Sequence, residues 1–251
     1  MNHSRKPLGL ICAIPEETAA LAGHFRRETQ REIAGFVFTT GWLDGHPLVM
    51  VEAGIGKVNA ALVGTLLLHA FEVRGLLFSG VAGGLDPALD VGDVVIADRL
   101  IQHDYGALSD GRLTPYQPGV PPLPGFDNGH GYGLADGMAP RIAAALEGVT
   151  LAGMPGGTRV PVWRFGTVLT GDHFLNCAET RHALHVRFNA QAVEMEGAAL
   201  AQVAATFGVP LVVVRALSDL AGSDSHLDFP SFARIAAANA AAIVPRIVPL
   251  F

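Results

Sequence analysis

Cysteine, charge and clustered basic residues are all scarce in this sequence. Its 251 residues include two cysteines, Cys12 and Cys177, in neither a CxxC pair nor a Cys/His spacing suited to zinc. A metal site is therefore not expected, and a reducing cytoplasm is the expected setting. Charged residues make up only 16% of the chain, with 17 Lys and Arg against 23 Asp and Glu and a net charge of −6. No dense basic run exists beyond Arg26-Arg27. Neutralising phosphates needs a clustered basic surface, so nucleic acid is not an expected partner. Long apolar runs are also wanting. The stretch after Lys6 is too short for a signal peptide and runs into Glu16-Glu17. The nearly charge-free segment from Gly197 to Val214 is interrupted by Gly208-Val209-Pro210, which predicts a helix, a turn and a strand rather than a membrane span.

What the sequence does have is apolar mass: half of its residues are hydrophobic, enough for a large core, and its length suits one domain over 1–251. The run Gly9 to Ile14 reads as a buried strand ending at Pro15, with Glu16 and Glu17 in a first helical turn. Apolar residues flanking Asp44-Gly45 predict a hairpin over 34–52, followed by a helix from about Lys57 to Phe71. A strand over Gly75–Phe78, a glycine loop over 79–84 and a strand over 93–100 are expected next. The Gly- and Pro-rich segment from Gly106 to Pro140 reads as a long functional loop. Beyond it the pattern alternates: helix 141–146, strand 162–169, helix 179–187, strand 191–193, helix 196–207, strand 210–216 and helix 230–243. This alternation predicts an α/β three-layer sandwich, with a central mixed, mostly parallel sheet flanked by helices.

In such folds ligands bind beyond the carboxyl ends of strands. Four polar segments fall there: Glu16-Glu17, the glycine loop, Glu194-Met195-Glu196, and Ser218-Asp219 after a very apolar strand. Acidic clusters at sheet ends suggest acid/base chemistry. Each residue alone has a plainer reading. Glu17 suits a first-turn charge, Met195 suits core filling, and His103-Asp104 point to opposite faces of a strand. Gly54-Ile55-Gly56-Lys57 lacks the spacing of a phosphate-binding loop.

Taken together, AIPEE at 13–17, EAGIGKVNAA at 52–61, SGVAGGL at 79–85, VGDVV at 91–95, TGDHFLN at 170–176, VEMEGAALAQVA at 193–204 and VVVRALSD at 212–219 resemble the purine-nucleoside phosphorylase and nucleosidase superfamily. Within it they are most similar to the 5′-methylthioadenosine/S-adenosylhomocysteine nucleosidases. The resemblance implies cleavage of the bond between adenine and ribosyl C1′ without a metal or organic cofactor. It implies that Asp219, oriented by Ser218, protonates the purine, that Glu17 activates the attacking water, and that Glu196 holds the ribose hydroxyls while Met195 packs on the sugar. Glu194 takes a supporting part. Phe174 is implied to stack on adenine, with the Leu175 backbone reading the base edge, and Phe229 to line an apolar pocket for the 5′ group. A homodimer follows from the resemblance, with Tyr116 and Pro121 in the segment that reaches a neighbouring subunit.

Val81 stands where these nucleosidases carry a hydroxyl residue, and Phe78 and Pro15-Glu16-Glu17 stand where the phosphorylases carry arginines for phosphate. An acid there suits water, so hydrolysis is expected over phosphorolysis. A nucleosidase for another nucleoside such as futalosine is the alternative. A non-catalytic nucleoside-binding protein would have no need of Glu17, Glu196 and Asp219 together.

Overall fold

The computed structural model describes residues 6–126, 130–155 and 159–251. The chain opens with β1 (Leu8–Cys12), whose five residues are all buried, and Pro15 starts the short helix α1 (Pro15–Leu21). A meander of β2 (Phe25–Ile33), β3 (Phe36–Leu43) and β4 (His46–Glu52) follows. Its turns at Ala34-Gly35 and Asp44-Gly45 both have two consecutive left-handed residues, the geometry that matches strand twist in a two-residue hairpin. Then come α2 (Lys57–Ala70), β5 (Leu76–Gly84), β6 (Val94–Gln102), the small hairpin of β7 (Gly106–Ser109) and β8 (Arg112–Pro115), and β9 (Tyr132–Gly133). The remainder is α3 (Met138–Ala145), β10 (Trp163–Thr170), α4 (Ala178–Phe188), β11 (Ala190–Glu194), α5 (Gly197–Phe207), β12 (Leu211–Asp219) and α6 (Ser225–Ile247).

The main sheet runs β11-β10-β6-β12-β5-β1-β4-β3-β2, with β9 beside β6. Pairing is parallel for β4-β1-β5-β12 and for β6-β10-β11, and antiparallel where β12 meets β6 and through the β2-β3-β4 meander. At its far end β11 also pairs antiparallel with β5, through Ala192 with Gly84 and Val193 with Gly83. The strands β5, β12, β6, β10 and β11 therefore close on themselves. That closure brings the carboxyl ends of β5, β11 and β12 to one place.

Helices cover both faces. One core joins Leu8, Leu10, Leu77, Val212 and Val214 to Leu21 of α1, Ile142 of α3 and Ala236, Ala240 and Ile243 of α6. The other joins Ile11, Phe78, Val95 and Val213 to Val63 and Leu67 of α2 and Leu200 and Ala204 of α5. Alternate residues of one strand thus serve opposite cores, and each fully buried Leu, Ile, Val or Phe contributes about 1.5–3 kcal/mol. With the turn after it, α6 is long and apolar enough to cross a membrane by length and composition, but more than half of that stretch is buried and it packs on β12 and β5 as a core helix does. Gly197 to Val214 is α5, a turn and the first four residues of β12.

Three expectations are corrected. The glycine segment 79–84 is not a loop but the second half of β5, held by β12 on one side and by β11 at its end. The segment 106–140 carries the hairpin β7-β8, the short β9 and the start of α3, with Tyr116 buried rather than presented on a loop. The last helix starts at Ser225, not Pro230: Pro230 is its sixth residue, where it removes one helical N–H bond, and the helix continues past it to Ile247.

Candidate active site

Each polar residue at the sheet end is held by a local structural reason. Pro15 and the break after β1 turn the chain so that Glu17, three residues past Ile14, folds back over the N-terminus of α1. Its Oε2 accepts the N–H groups of Ala13 at 2.6 Å and Ile14 at 3.3 Å, while Oε1 accepts the N–H of Val81 at 2.9 Å. Glu17 is therefore both the first-turn charge that its position predicts and a buried carboxylate, only 3% exposed. Burial pushes its pKa up, and Arg215 and the three N–H donors oppose that shift.

Glu194 and Glu196 lie at the end of β11 and the start of α5. Glu194 accepts the N–H groups of Glu196 and Gly197, the hydroxyl of Thr170 and Nη2 of Arg215, so its lone pairs are fully engaged within the protein. Glu196 accepts the Gly56 N–H at 2.8 Å through Oε1 and Arg215 Nη2 at 3.2 Å through Oε2. Its pKa is raised to about 7, first by burial and then by the neighbouring Glu194.

Asp219 ends β12, opposite Gly83 of β5. Its Oδ2 accepts the Ser218 hydroxyl at 3.0 Å and its Oδ1 accepts the Ala221 N–H at 2.8 Å. Burial outweighs these bonds and raises its pKa. A carboxyl group so placed keeps its proton to higher pH than an exposed one.

Arg215 was not singled out from the sequence, and it is the hub of the site. It is fully buried on β12, with its guanidinium 3.7 Å from the Phe78 ring centre, paired to Glu194, 3.2 Å from Glu196 and 3.9 Å from Glu17. Burial works against its charge, but the three glutamates hold its pKa above the ordinary value. Its signal in the sequence is a lone cation inside the apolar run Leu211 to Leu217, because a buried charge has to meet counter-charges. Gly80 makes room for it: a Cβ at that position would collide with Arg215 Nη1 and Glu17 Oε1.

All ten residues assigned from the sequence line one cavity of about 390 Å³: Glu17, Val81, Phe174, Leu175, Glu194, Met195, Glu196, Ser218, Asp219 and Phe229. Phe174 and Phe229 meet edge to face, with ring centres 5.9 Å apart, and Phe174 remains half exposed. Ile14, Ile55, His173 and His226 also line the wall, and the sequence reading assigned them no role in binding or catalysis. His103 and Asp104 do not line it; Asp104 pairs with Lys57 instead.

The phosphorylase superfamily model matches residues 7–249. A 5′-methylthioadenosine/S-adenosylhomocysteine nucleosidase of Mycobacterium bovis is 47% identical over 247 residues, 97% of each chain. The chain belongs to the 5′-methylthioadenosine/S-adenosylhomocysteine nucleosidase family. Two solved structures agree with that nucleosidase fold. The enzyme of Neisseria meningitidis in complex with methylthio-immucillin-A aligns with a TM-score of 0.83 at 28% identity, over 98% of this chain and all of that one. Futalosine hydrolase of Helicobacter pylori aligns with a TM-score of 0.82 at 28% identity, over 98% of each chain.

Proposed function

We propose that the chain hydrolyses the N-glycosidic bond of 5′-methylthioadenosine and S-adenosylhomocysteine, releasing adenine, and that the single domain 1–251 carries the machinery. The observation that carries this reading is the pairing of two separated carboxyl groups with opposite tasks on one cavity. Glu17 is anchored to β5 at Val81, and Asp219 faces β5 at Gly83. Both carboxyl groups thus stand along the end of β5 but are held by different elements, so acid and base are separate groups on one cavity. Asp219 protonates the leaving purine, with Ser218 fixing its orientation. Glu17 takes the proton of a water that attacks C1′, and Arg215, whose Nη1 lies 3.9 Å from Glu17 Oε1 behind the cavity wall, offsets part of the carboxylate's charge. Glu196 accepts the ribose hydroxyls, Met195 packs on the sugar, and Glu194 holds the start of α5 and Arg215 in place. Phe174 stacks on the base, the Leu175 backbone reads its edge, and Phe229 with Ile55 bounds an apolar pocket for the 5′ thioether.

Val81 contributes its N–H to Glu17 rather than a hydroxyl to the water. That bond orients the Glu17 carboxylate that holds the water. Hydrolysis is favoured over phosphorolysis because the cavity wall carries four carboxyl groups and, among the described residues, no Lys or Arg side chain, whereas a phosphate dianion calls for converging cations.

The names of the relatives support a place in sulfur-nucleoside salvage. Two free cysteines, one buried and one exposed, suit a reducing cytoplasm. A homodimer is supported by the exposed apolar residues Ile55, Val58 and Leu62 at the start of α2, next to the cavity. The test is a substrate panel of 5′-methylthioadenosine, S-adenosylhomocysteine and futalosine, with the free base identified. Adenine from the first two supports the proposal, and turnover of futalosine alone would replace it with the alternative nucleoside.

A further inference from the structure

Glu196 owes its position to a group outside the cavity. Its Oε1 accepts the N–H of Gly56, the residue before the first turn of α2, which sits at φ 104° where a side chain is disfavoured. No side chain of that turn caps the helix. The cap comes from a segment distant in sequence: Asp172, two residues past β10, accepts the Lys57 N–H at 3.0 Å through Oδ1. The Lys57 ammonium reaches Asp104 Oδ1 at 2.6 Å and Asp172 Oδ2 at 3.5 Å, and Asp104 Oδ2 accepts the Asp172 N–H at 2.9 Å. Lys57, Asp104 and Asp172 thus form a closed ring that ties together the ends of β6 and β10 and the start of α2. Lys57 and Asp104 are largely buried, at 18% and 14% side-chain exposure, so this is not a solvated surface pair.

Neither Lys57 nor Asp104 nor Asp172 lines the cavity, yet the chain segments that the ring joins do. Gly56, adjacent to Lys57, bonds Glu196; His173, Phe174 and Leu175 directly follow Asp172. We infer that Lys57, Asp104 and Asp172 are positioning residues that hold the Gly56 N–H against Glu196, so that they set ribose recognition without touching the ligand. The inference rests on the proposed assignment of Glu196 to the ribose hydroxyls. The closed ring gives three points of attachment where a single cap would give one, and small displacements of a group that orients a substrate are costly in rate.

The test combines an activity-independent readout with a kinetic one. Amide hydrogen exchange at Gly56 in Lys57→Met, Lys57→Arg and Asp172→Ala is compared with the parent protein. The expectation is an increase of about tenfold or more in Lys57→Met and Asp172→Ala, most of it recovered in Lys57→Arg, with β1 and β12 amides unchanged. With 5′-methylthioadenosine, kcat/KM is expected to fall on the order of tenfold in Lys57→Met. The fall should shrink to within about twofold with an analogue lacking the ribose hydroxyls, and in a Glu196→Gln background, because coupled residues do not act additively. Equal losses on both substrates, additivity with Glu196→Gln, or unchanged exchange at Gly56 would overturn the inference. If the parent protein turns over no nucleoside, the functional reading fails, and the exchange arm alone still decides whether the ring holds Gly56. If Lys57→Met does not fold, Asp172→Ala, altered at a half-exposed side chain, carries the same comparison.

Discussion

Asp219→Asn keeps the shape of the side chain and removes the proton that the purine needs. Turnover should fall by about 10²–10⁴-fold, the usual worth of a positioned acid, while binding of a stable nucleoside analogue measured by calorimetry stays near that of the parent. A parallel loss of binding would assign Asp219 to recognition instead. Arg215→Met has a different outcome, because it leaves Glu17, Glu194 and Glu196 without their shared cation. Urea unfolding should show a loss of about 3–5 kcal/mol, the cost of orphaning buried charges. The raised pKa values of Glu17 and Asp219 give a bell-shaped pH profile for kcat/KM. Activity falls on the acid side as Glu17 gains its proton and on the alkaline side as Asp219 loses its own. Stability follows Glu196, whose folded pKa of about 7 lies above its ordinary 4.5. The folded state binds the extra proton between those values, so stability declines as pH rises through about 7. Denaturant midpoints at pH 5.5 and 7.5 should show the decline, and Glu196→Gln should lessen it, the raised Glu17 and Asp219 acting in the same direction.

At the scale of elements, the strands that build the site were legible wherever their residues were apolar. β1 and most of β12 announce themselves as hydrophobic runs because helices cover both of their faces, and β6 and β10 carry enough apolar residues at their buried positions to read as strands. β2 escaped because FRRETQREI is almost wholly exposed and charged, the composition that protects a sheet edge from further pairing. The glycines of β5 read as a loop for a related reason: glycine disfavours strands, yet Gly80 is required where Arg215 and Glu17 cross close to the backbone. Gly80→Ala should accordingly destabilise the protein by about 1–3 kcal/mol and depress activity through displacement of both side chains. Thermal unfolding and kcat of the variant check this, and unchanged values of both would show that the crossing is looser than it stands here.

For the whole molecule, the seven sequence segments that carried the resemblance come from across the chain, and the fold brings those bearing the acidic residues to the shared ends of β5, β11 and β12. Residue identity made Glu17, Glu196 and Asp219 readable. What composition could not reveal is the long-range traffic between them: the Arg215 hub, and the ring of Lys57, Asp104 and Asp172, both joining residues far apart in sequence. The assembly is testable at the same scale. Sedimentation equilibrium should return twice the chain mass, and Val58→Glu with Leu62→Glu should return one, whereas a monomeric parent protein would remove the dimer from the account.

The most direct measurement is release of adenine from 5′-methylthioadenosine by purified protein in phosphate-free buffer, repeated with phosphate added. The account predicts the same rate in both, with methylthioribose as the second product. Release that depends on phosphate and yields a sugar phosphate would contradict it.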